Sequence, residues 1–298
     1  MPDRIVITAA TGNIGSKLAE ILLSKGKRIK VIGRDDKKLE AFKMKGADVY
    51  EGNAEKASDM KRAFMGGSAL FALIPPNYAA TDPRAYQNKV GQAYADAIAE
   101  AGIKEVVNLS SVGAHLSEGN GLIAGLYDQE QRLNSMRGVS VVHLRPGYFM
   151  ENLFWNMDSI RKSGIAGSPL KGDVALPMIA TRDIASIAAV QFLVGVEGKS
   201  VQELMGQRDL TLNEATAAIG KAIGKPDLKY VQFPYADAEK SMVGMGMSLE
   251  SAQLTNEMNK GFNEGIIKPS TGRKPENTTM TSIEEFAQHF AEIYKKGG

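Results

Sequence analysis

The chain has 298 residues, 43% of them hydrophobic, enough to bury a large core as one α/β unit with an attached lobe. Its formal net charge is +2, from 36 basic against 34 acidic side chains, so no overall field calls for nucleic acid or an anionic membrane as a direct partner. Cysteine is absent, which excludes disulfides, thiolate nucleophiles and cysteine metal sites.

The opening stretch organises the rest. Ile5 to Ile7 is a short run of β-branched residues suited to a buried parallel strand. Gly12 and Gly15 follow, where the chain must turn into a helix. Ile14, Leu18, Ile21 and Leu22 give that helix an apolar face, and Gly26 stops it. A strand, glycine turn, helix and second strand in this order present free backbone N–H groups and a positive dipole end, which suit a dinucleotide's diphosphate. A glycine spacing that ends at Gly12 and Gly15 would place another at position 9. The chain has Ala9, for which a negative φ is expected. Met-Pro-Asp-Arg leads straight into the strand without a signal or transit peptide, and no apolar run nears the roughly twenty residues of a membrane span. A cytoplasmic protein without a membrane partner is expected.

The second strand, Ile29 to Ile32, runs into Gly33-Arg34-Asp35-Asp36-Lys37-Lys38. Asp35 stands where an acidic residue would hold a ribose 2′-hydroxyl, the sign of NAD. Arg34 precedes it, and its planar fork matches a 2′-phosphate, with Lys37 or Lys38 adding charge. NADP is the expected cofactor; an ordinary solvated loop is the plainer alternative.

A helix is expected over Lys37 to Lys45, closed by Gly46, then a third strand at Asp48 to Tyr50. Asn53 follows at that strand's end, where it either meets adenine or serves a turn. Ala69 to Ile74 is a continuous apolar run, a buried fourth strand that opens into the stiff rim Pro75-Pro76-Asn77-Tyr78. A long helix spans Pro83 to Ala101. Glu105 to Leu109 is a fifth strand that delivers Ser110 and Ser111 to the carboxyl edge of the sheet, as ligand contacts or as turn residues. The glycine-bearing loop Gly113 to Gly125, with His115, reads as mobile. A helix from Leu126 to Met136 carries Tyr127, and strand six, Val139 to Leu144, holds His143 as a packed residue. Three scattered histidines make no metal constellation.

Beyond Asn152 the alternation loosens. Phe154 to Arg161 reads as a helix whose Trp155 either faces a pocket or packs. An apolar helix opens at Thr181, and Val201 to Met205 is a strand candidate. Leu212 to Gly224, Ala236 to Gly246, Leu249 to Phe262 and Ser282 to Tyr294 read as helices. Met242, Met245 and Met247 suit either a variable substrate surface or gap-filling in a lobe core.

Five segments carry a family resemblance. They are Thr8-Ala-Ala-Thr-Gly-Asn-Ile-Gly15, Gly33-Arg34, Val106-Val-Asn-Leu-Ser-Ser111, Leu144-Arg-Pro-Gly-Tyr-Phe-Met-Glu-Asn152 and Thr181-Arg-Asp-Ile-Ala185. With them the chain resembles the NmrA-like, atypical short-chain dehydrogenases/reductases, close in plan to bacterial NADPH quinone oxidoreductases and triphenylmethane reductases. The resemblance implies a doubly wound parallel sheet of Rossmann type with a smaller, mostly helical C-terminal substrate lobe. The nucleotide-binding part would span 1–152 with 181–205 returning to it, and the lobe 153–180 and 206–298. NADP contacts are implied for Thr8, Ala10, Thr11, Gly12, Asn13, Ile14, Gly15, Arg34, Asn53, Ile74, Pro75, Ser110, Pro146, Gly147 and Phe149.

Ordinary short-chain dehydrogenases pair a tyrosine with a lysine four residues on, whose charge lowers the phenol's pKa. Here Tyr127 is followed by Gln131, which carries no charge. Tyr127, Ser110 and Tyr148 stand as the catalytic candidates. The leading reading is an NADPH-dependent oxidoreductase that transfers hydride to a quinone-like or conjugated small molecule. The rival is a non-catalytic NADP-binding redox sensor of NmrA type, and a sugar isomerase or epimerase is a third reading that Gln131 disfavours. A homodimer is compatible with either of the first two.

Overall fold

The computed structural model describes residues 4–296. Strand and helix alternate from the start: β1 (Arg4–Ile7), α1 (Asn13–Ser24), β2 (Arg28–Gly33), α2 (Asp36–Met44), β3 (Asp48–Glu51), α3 (Ala57–Phe64), β4 (Ala69–Ala72), α4 (Pro83–Ala101), β5 (Glu105–Leu109), α5 (Ala124–Ser135) and β6 (Ser140–Pro146). Then follow β7 (Tyr148–Phe149), α6 (Met157–Ser163), β8 (Ile165–Ser168), β9 (Leu176–Ile179), α7 (Thr181–Val194) and β10 (Lys199–Leu204). The chain closes with β11 (Asp209–Leu210), α8 (Leu212–Ala222), β12 (Lys229–Gln232), α9 (Tyr235–Gly244), α10 (Leu249–Asn263) and α11 (Ile283–Lys296).

Seven strands form one parallel sheet in the order β10-β6-β5-β4-β1-β2-β3, so the strand candidate near Val201 returns to its edge beside β6. The order reverses between β1 and β4, and a crevice opens there at the carboxyl ends of the strands. Pleating sends alternate residues of β1 to opposite faces. Ile5 and Ile7 pack with Leu18, Leu22 and Phe192 under α1 and α7, whereas Val6 packs with Met60, Phe64 and Ile98 under α3 and α4. Each such fully buried side chain contributes about 1.5–3 kcal/mol of transfer free energy.

A third apolar cluster lies above the crevice. It joins Leu153, Ile160, Leu212, Ile219, Phe286 and Phe290 to Val112, Ala114 and Ile123 from the segment after β5. That segment is therefore packed, against the expectation of a mobile loop. Buried Asn120 donates to the carbonyls of Gly113 (3.1 Å) and Leu116 (2.8 Å). Gly121, at φ +57°, runs so close to α10 that a Cβ would lie 2.0 Å from the Leu254 carbonyl oxygen.

Other departures have local causes. β4 stops at Ala72, short of Ile74, because the Thr8 hydroxyl takes the Leu73 N–H (2.8 Å) that would have continued the ladder. The expected helix from Phe154 is a 3-10 turn, Met150–Asn156, before α6, and the Asn156 side chain accepts the Gly167 N–H (2.7 Å). Met242, Met245 and Met247 fill no core: Met245 is 63% exposed and the other two half-buried. β7, β8, β9, β11 and β12 are pieces of two to four residues that no periodicity announces.

Candidate functional site

Two adjoining clefts occupy the crevice. The first, of about 450 Å³, is floored by the turn after β1 and walled by the ends of β2 and β3. Thr8, Ala9, Thr11, Gly12, Asn13 and Ile14 line it with Gly33, Arg34, Asn53 and Pro75. Gly12 caps α1 with extended backbone and no side-chain hydrogen bond, which leaves the first-turn N–H groups facing the cleft. A Cβ on Gly12 would meet only the Ala9 carbonyl oxygen, at 3.4 Å. The turn is tight for a reason that reverses one expectation. Ala9 sits at φ +49°, the one non-glycine with positive φ among the described residues, and its carbonyl accepts the Gly12 N–H (3.0 Å).

Several expected contacts are supports. The Thr8 hydroxyl is spent on β4, donating to the Phe71 carbonyl (3.0 Å) while accepting from Leu73, so only the turn it anchors is offered to a ligand. Ala10 is fully buried and does not line the cleft; its N–H is held by the Ile32 carbonyl (3.0 Å). Gly15 does not line it either. A Cβ there would lie 2.5 Å from the Ala9 carbonyl oxygen, so the glycine lets α1 approach the turn. Pro146 is buried within β6 and reaches neither cleft.

At the end of β2 the two candidate cofactor-selecting residues separate. Arg34 lines the first cleft, whereas Asp35 caps α2 by accepting the Lys38 N–H (3.3 Å) and does not line it. Lys37 and Lys38 lie on exposed α2, outside the lining. Asn53 serves both of its readings: Oδ1 accepts the Glu55 N–H (2.9 Å) while the residue lines the cleft.

Sequence reasoning missed part of the wall. Tyr86 lines both clefts and donates to the Pro75 carbonyl (2.9 Å), steadying the proline rim. Glu151 accepts the Thr181 N–H (3.0 Å) and hydroxyl (2.6 Å) at the start of α7, and burial, the dominant influence, raises its carboxyl pKa. The motif around Glu151 and Thr181 was visible, but no spacing rule couples them across thirty residues of chain. Trp155 lines the first cleft, 62% exposed and edge-on to Tyr78 at 6.5 Å.

The second cleft, of about 340 Å³, shares Ile14, Leu73, Pro76, Tyr86, Phe149 and Asn152 with the first. Ile74, Ser110, Gly147 and Tyr148 line it alone, together with Leu122, Leu126, Met258, Asn259 and Phe262. Ser248 ties its walls together: it caps α10 and donates to the Ala80 carbonyl (2.5 Å) in the segment after β4.

The catalytic candidates fare differently. Tyr127 sits on α5 and lines neither cleft, because Leu126 and the preceding turn residues Leu122 and Ile123 face the cavity instead. Tyr148 lines the second cleft, and burial pushes its hydroxyl well above the ordinary phenol range. Ser110 is at the cleft, but its proton is committed to Glu130 (2.5 Å). Arg145 holds the same carboxylate twice, through Nε (2.9 Å) and Nη2 (2.5 Å), and Glu130 and Arg145 are both buried. A serine that donates to an ion-paired carboxylate offers the cleft only lone pairs. His143 is structural, as expected. Nδ1 meets the Asn108 amide (3.1 Å) and Nε2 the Asn134 Oδ1 (3.1 Å), and burial lowers its pKa to about 4.

The arrangement can hold a diphosphate and a 2′-anion in one cleft and a mainly apolar ligand in the next. The NAD(P)H azoreductase of Xenophilus azovorans is 26% identical to this chain over 256 residues, 85% of each protein. The NADPH-dependent quinone oxidoreductase of Escherichia coli, solved with NADPH, superposes with a TM-score of 0.78 at 23% identity, over 96% of this chain and 99% of that one. NmrA, a negative transcriptional regulator solved with NADP, superposes with a TM-score of 0.74 at 17% identity, over 99% of this chain and 97% of that one. The sequence pattern of the NmrA-like family matches residues 1–287, and the chain belongs to that family.

Proposed function

We propose that this chain is an NADPH-dependent oxidoreductase that reduces a quinone-like or other conjugated, electron-poor small molecule. The observation that carries this reading is the continuity of the two clefts through Ile14, Leu73 and Phe149, which sets a mainly apolar chamber against a dinucleotide cradle. The uncapped start of α1 fits a diphosphate, and Arg34 fits a 2′-phosphate while Asp35 is otherwise engaged. Thr11, Gly12, Asn13, Ile14, Arg34 and Asn53 would hold the cofactor, with Pro75 and Phe149 beside the join of the clefts. In this reading 1–152 and 181–205 serve the cofactor, while 153–180 and 206–298 supply substrate contacts such as Met258 and Phe262.

NADPH, when bound, supplies a hydride. With one solvent proton, that hydride takes a quinone to its hydroquinone. The protein's part is to bind, orient and exclude water, because an electron-poor acceptor needs little acid assistance. Tyr148 donates poorly, since burial raises its pKa, and the Ser110 proton is already given away. The relative described as an NAD(P)H azoreductase supports a conjugated acceptor.

A non-catalytic redox sensor is the second reading, favoured by the removal of Tyr127 from both clefts and by the likeness to NmrA. NADPH consumption with a panel of benzo- and naphthoquinones separates the two. Turnover supports the oxidoreductase, and tight NADPH binding with no turnover across the panel supports the sensor.

A further inference from the structure

Helix α10 carries Asn256, Asn259 and Asn263 at a spacing that sets them along one side. Two of the three are spent on structure. The Asn256 amide donates to the Tyr235 carbonyl (2.9 Å). Asn263 donates to the Pro169 carbonyl (3.0 Å) and accepts the Lys171 N–H (2.7 Å). Asn259 lies between them, 8% exposed, and lines the second cleft. Its side-chain amide has no hydrogen-bond partner among the described residues. The amide is engaged by no other side chain or carbonyl and opens on the cleft, so it is available to a ligand there.

The rest of the lining narrows what the partner is. Asn77, Gln87, Asn152, Ser110 and Ser111 are the other amide and hydroxyl side chains besides the tyrosines, and no Asp, Glu, Lys, Arg or His lines the cleft. An anionic group carried into it would lose water and find no cation. Ser110 presents lone pairs, so it repels a carbonyl oxygen, whereas the Asn259 Nδ2 attracts one.

We infer that Asn259 is the substrate anchor of the second cleft: it donates to a carbonyl of a neutral, flat aromatic acceptor, and the cleft rejects the same ring when it bears an anionic substituent. This rests on the oxidoreductase reading for the identity of the acceptor, but not for the binding itself.

The test is calorimetric titration of the full chain, saturated with 1,4,5,6-tetrahydro-NADP, whose ring is neutral and inert to hydride transfer, with 2-methyl-1,4-naphthoquinone and with 1,4-naphthoquinone-2-sulfonate. The neutral quinone should bind at least about tenfold more tightly than the sulfonate. Asn259→Leu and the isosteric Asn259→Asp should each weaken the neutral quinone about tenfold, the worth of one hydrogen bond, and leave NADPH affinity unchanged. If the leucine variant fails to fold, the aspartate variant decides. Equal affinity for the two quinones, or quinone binding unaltered by the substitutions, overturns the inference. The expected binding pattern without NADPH consumption leaves the anchor standing and removes the oxidoreductase reading. Turnover with unaltered quinone binding does the reverse.

Discussion

Ser110 gives its hydroxyl proton to Glu130 at 2.5 Å, and Arg145 clamps that carboxylate from the other side. All three are buried at the carboxyl edge of β5 and β6, so each charge depends on the other. Glu130→Ala should cost about 3–5 kcal/mol of stability, because it strands a buried guanidinium. Ser110→Ala removes one hydrogen bond to a charged group and should cost less, about 1.5–3 kcal/mol. Urea unfolding of the two variants checks the order; an equal loss would refute the pairing.

Ala9 holds a left-handed conformation that costs an L-residue about 1–2 kcal/mol. Glycine removes that strain, but its freer unfolded chain returns about 0.4–1 kcal/mol. Ala9→Gly should therefore raise the urea midpoint modestly, by up to about 1.6 kcal/mol of stability. Gly15→Ala should lower stability by about 1–3 kcal/mol, since its Cβ would press on the Ala9 carbonyl.

Arg34 lines the first cleft, and its neighbour Asp35 is engaged as a helix cap. Under the proposed cofactor assignment, Arg34→Ala should weaken NADPH about 10- to 100-fold while NADH changes little. Fluorescence titration with both dinucleotides measures it. Equal losses would remove Arg34 as the 2′-phosphate contact.

His143 is held neutral by burial, its pKa lowered to about 4 from an ordinary value near 6.5. The unfolded chain binds the extra proton first, so stability is complete above about pH 6.5 and falls as the pH drops from there toward 4. Between pH 7 and pH 5 this one group should cost about 2 kcal/mol. Urea unfolding at both pH values, with His143→Gln alongside, tests it: the variant should lose the part of the slope that His143 carries.

Tyr127 stands in the sequence position of a general acid but faces neither cleft. Under the proposed oxidoreductase reading, Tyr127→Phe should leave steady-state NADPH-dependent quinone reduction within about twofold, since no transition-state contact is lost. A loss of a hundredfold or more would restore it as a participant.

The sheet was legible because its signals are local. Ile5 to Ile7, Val106 to Leu109 and Val141 to Leu144 are apolar runs at regular intervals, and the glycines and asparagines between them mark turns. The cradle was legible for the same reason: Thr11 to Ile14 and Arg34 lie within one βαβ unit. Ala10 and Gly15 belong to the same motif, yet they serve packing, a distinction that depends on which way each backbone group points. The Ser110, Glu130 and Arg145 cluster and the lining role of Asn259 were hidden. Each needs residues from separate elements to meet, and an asparagine on an amphipathic helix looks like solvated surface until its burial is known.

Ser248 and Ala80, joined by one hydrogen bond, are 168 residues apart along the chain. Closing so long a span carries an entropy cost that local turns avoid, and contacts of this kind form late. The cradle turn needs only β2 and β4, through Ala10 to Ile32 and Thr8 to Phe71 and Leu73, whereas the chamber beside it exists only once the last third of the chain has docked. A nascent or partly unfolded molecule can therefore retain the turn that meets a dinucleotide while lacking the chamber for its acceptor.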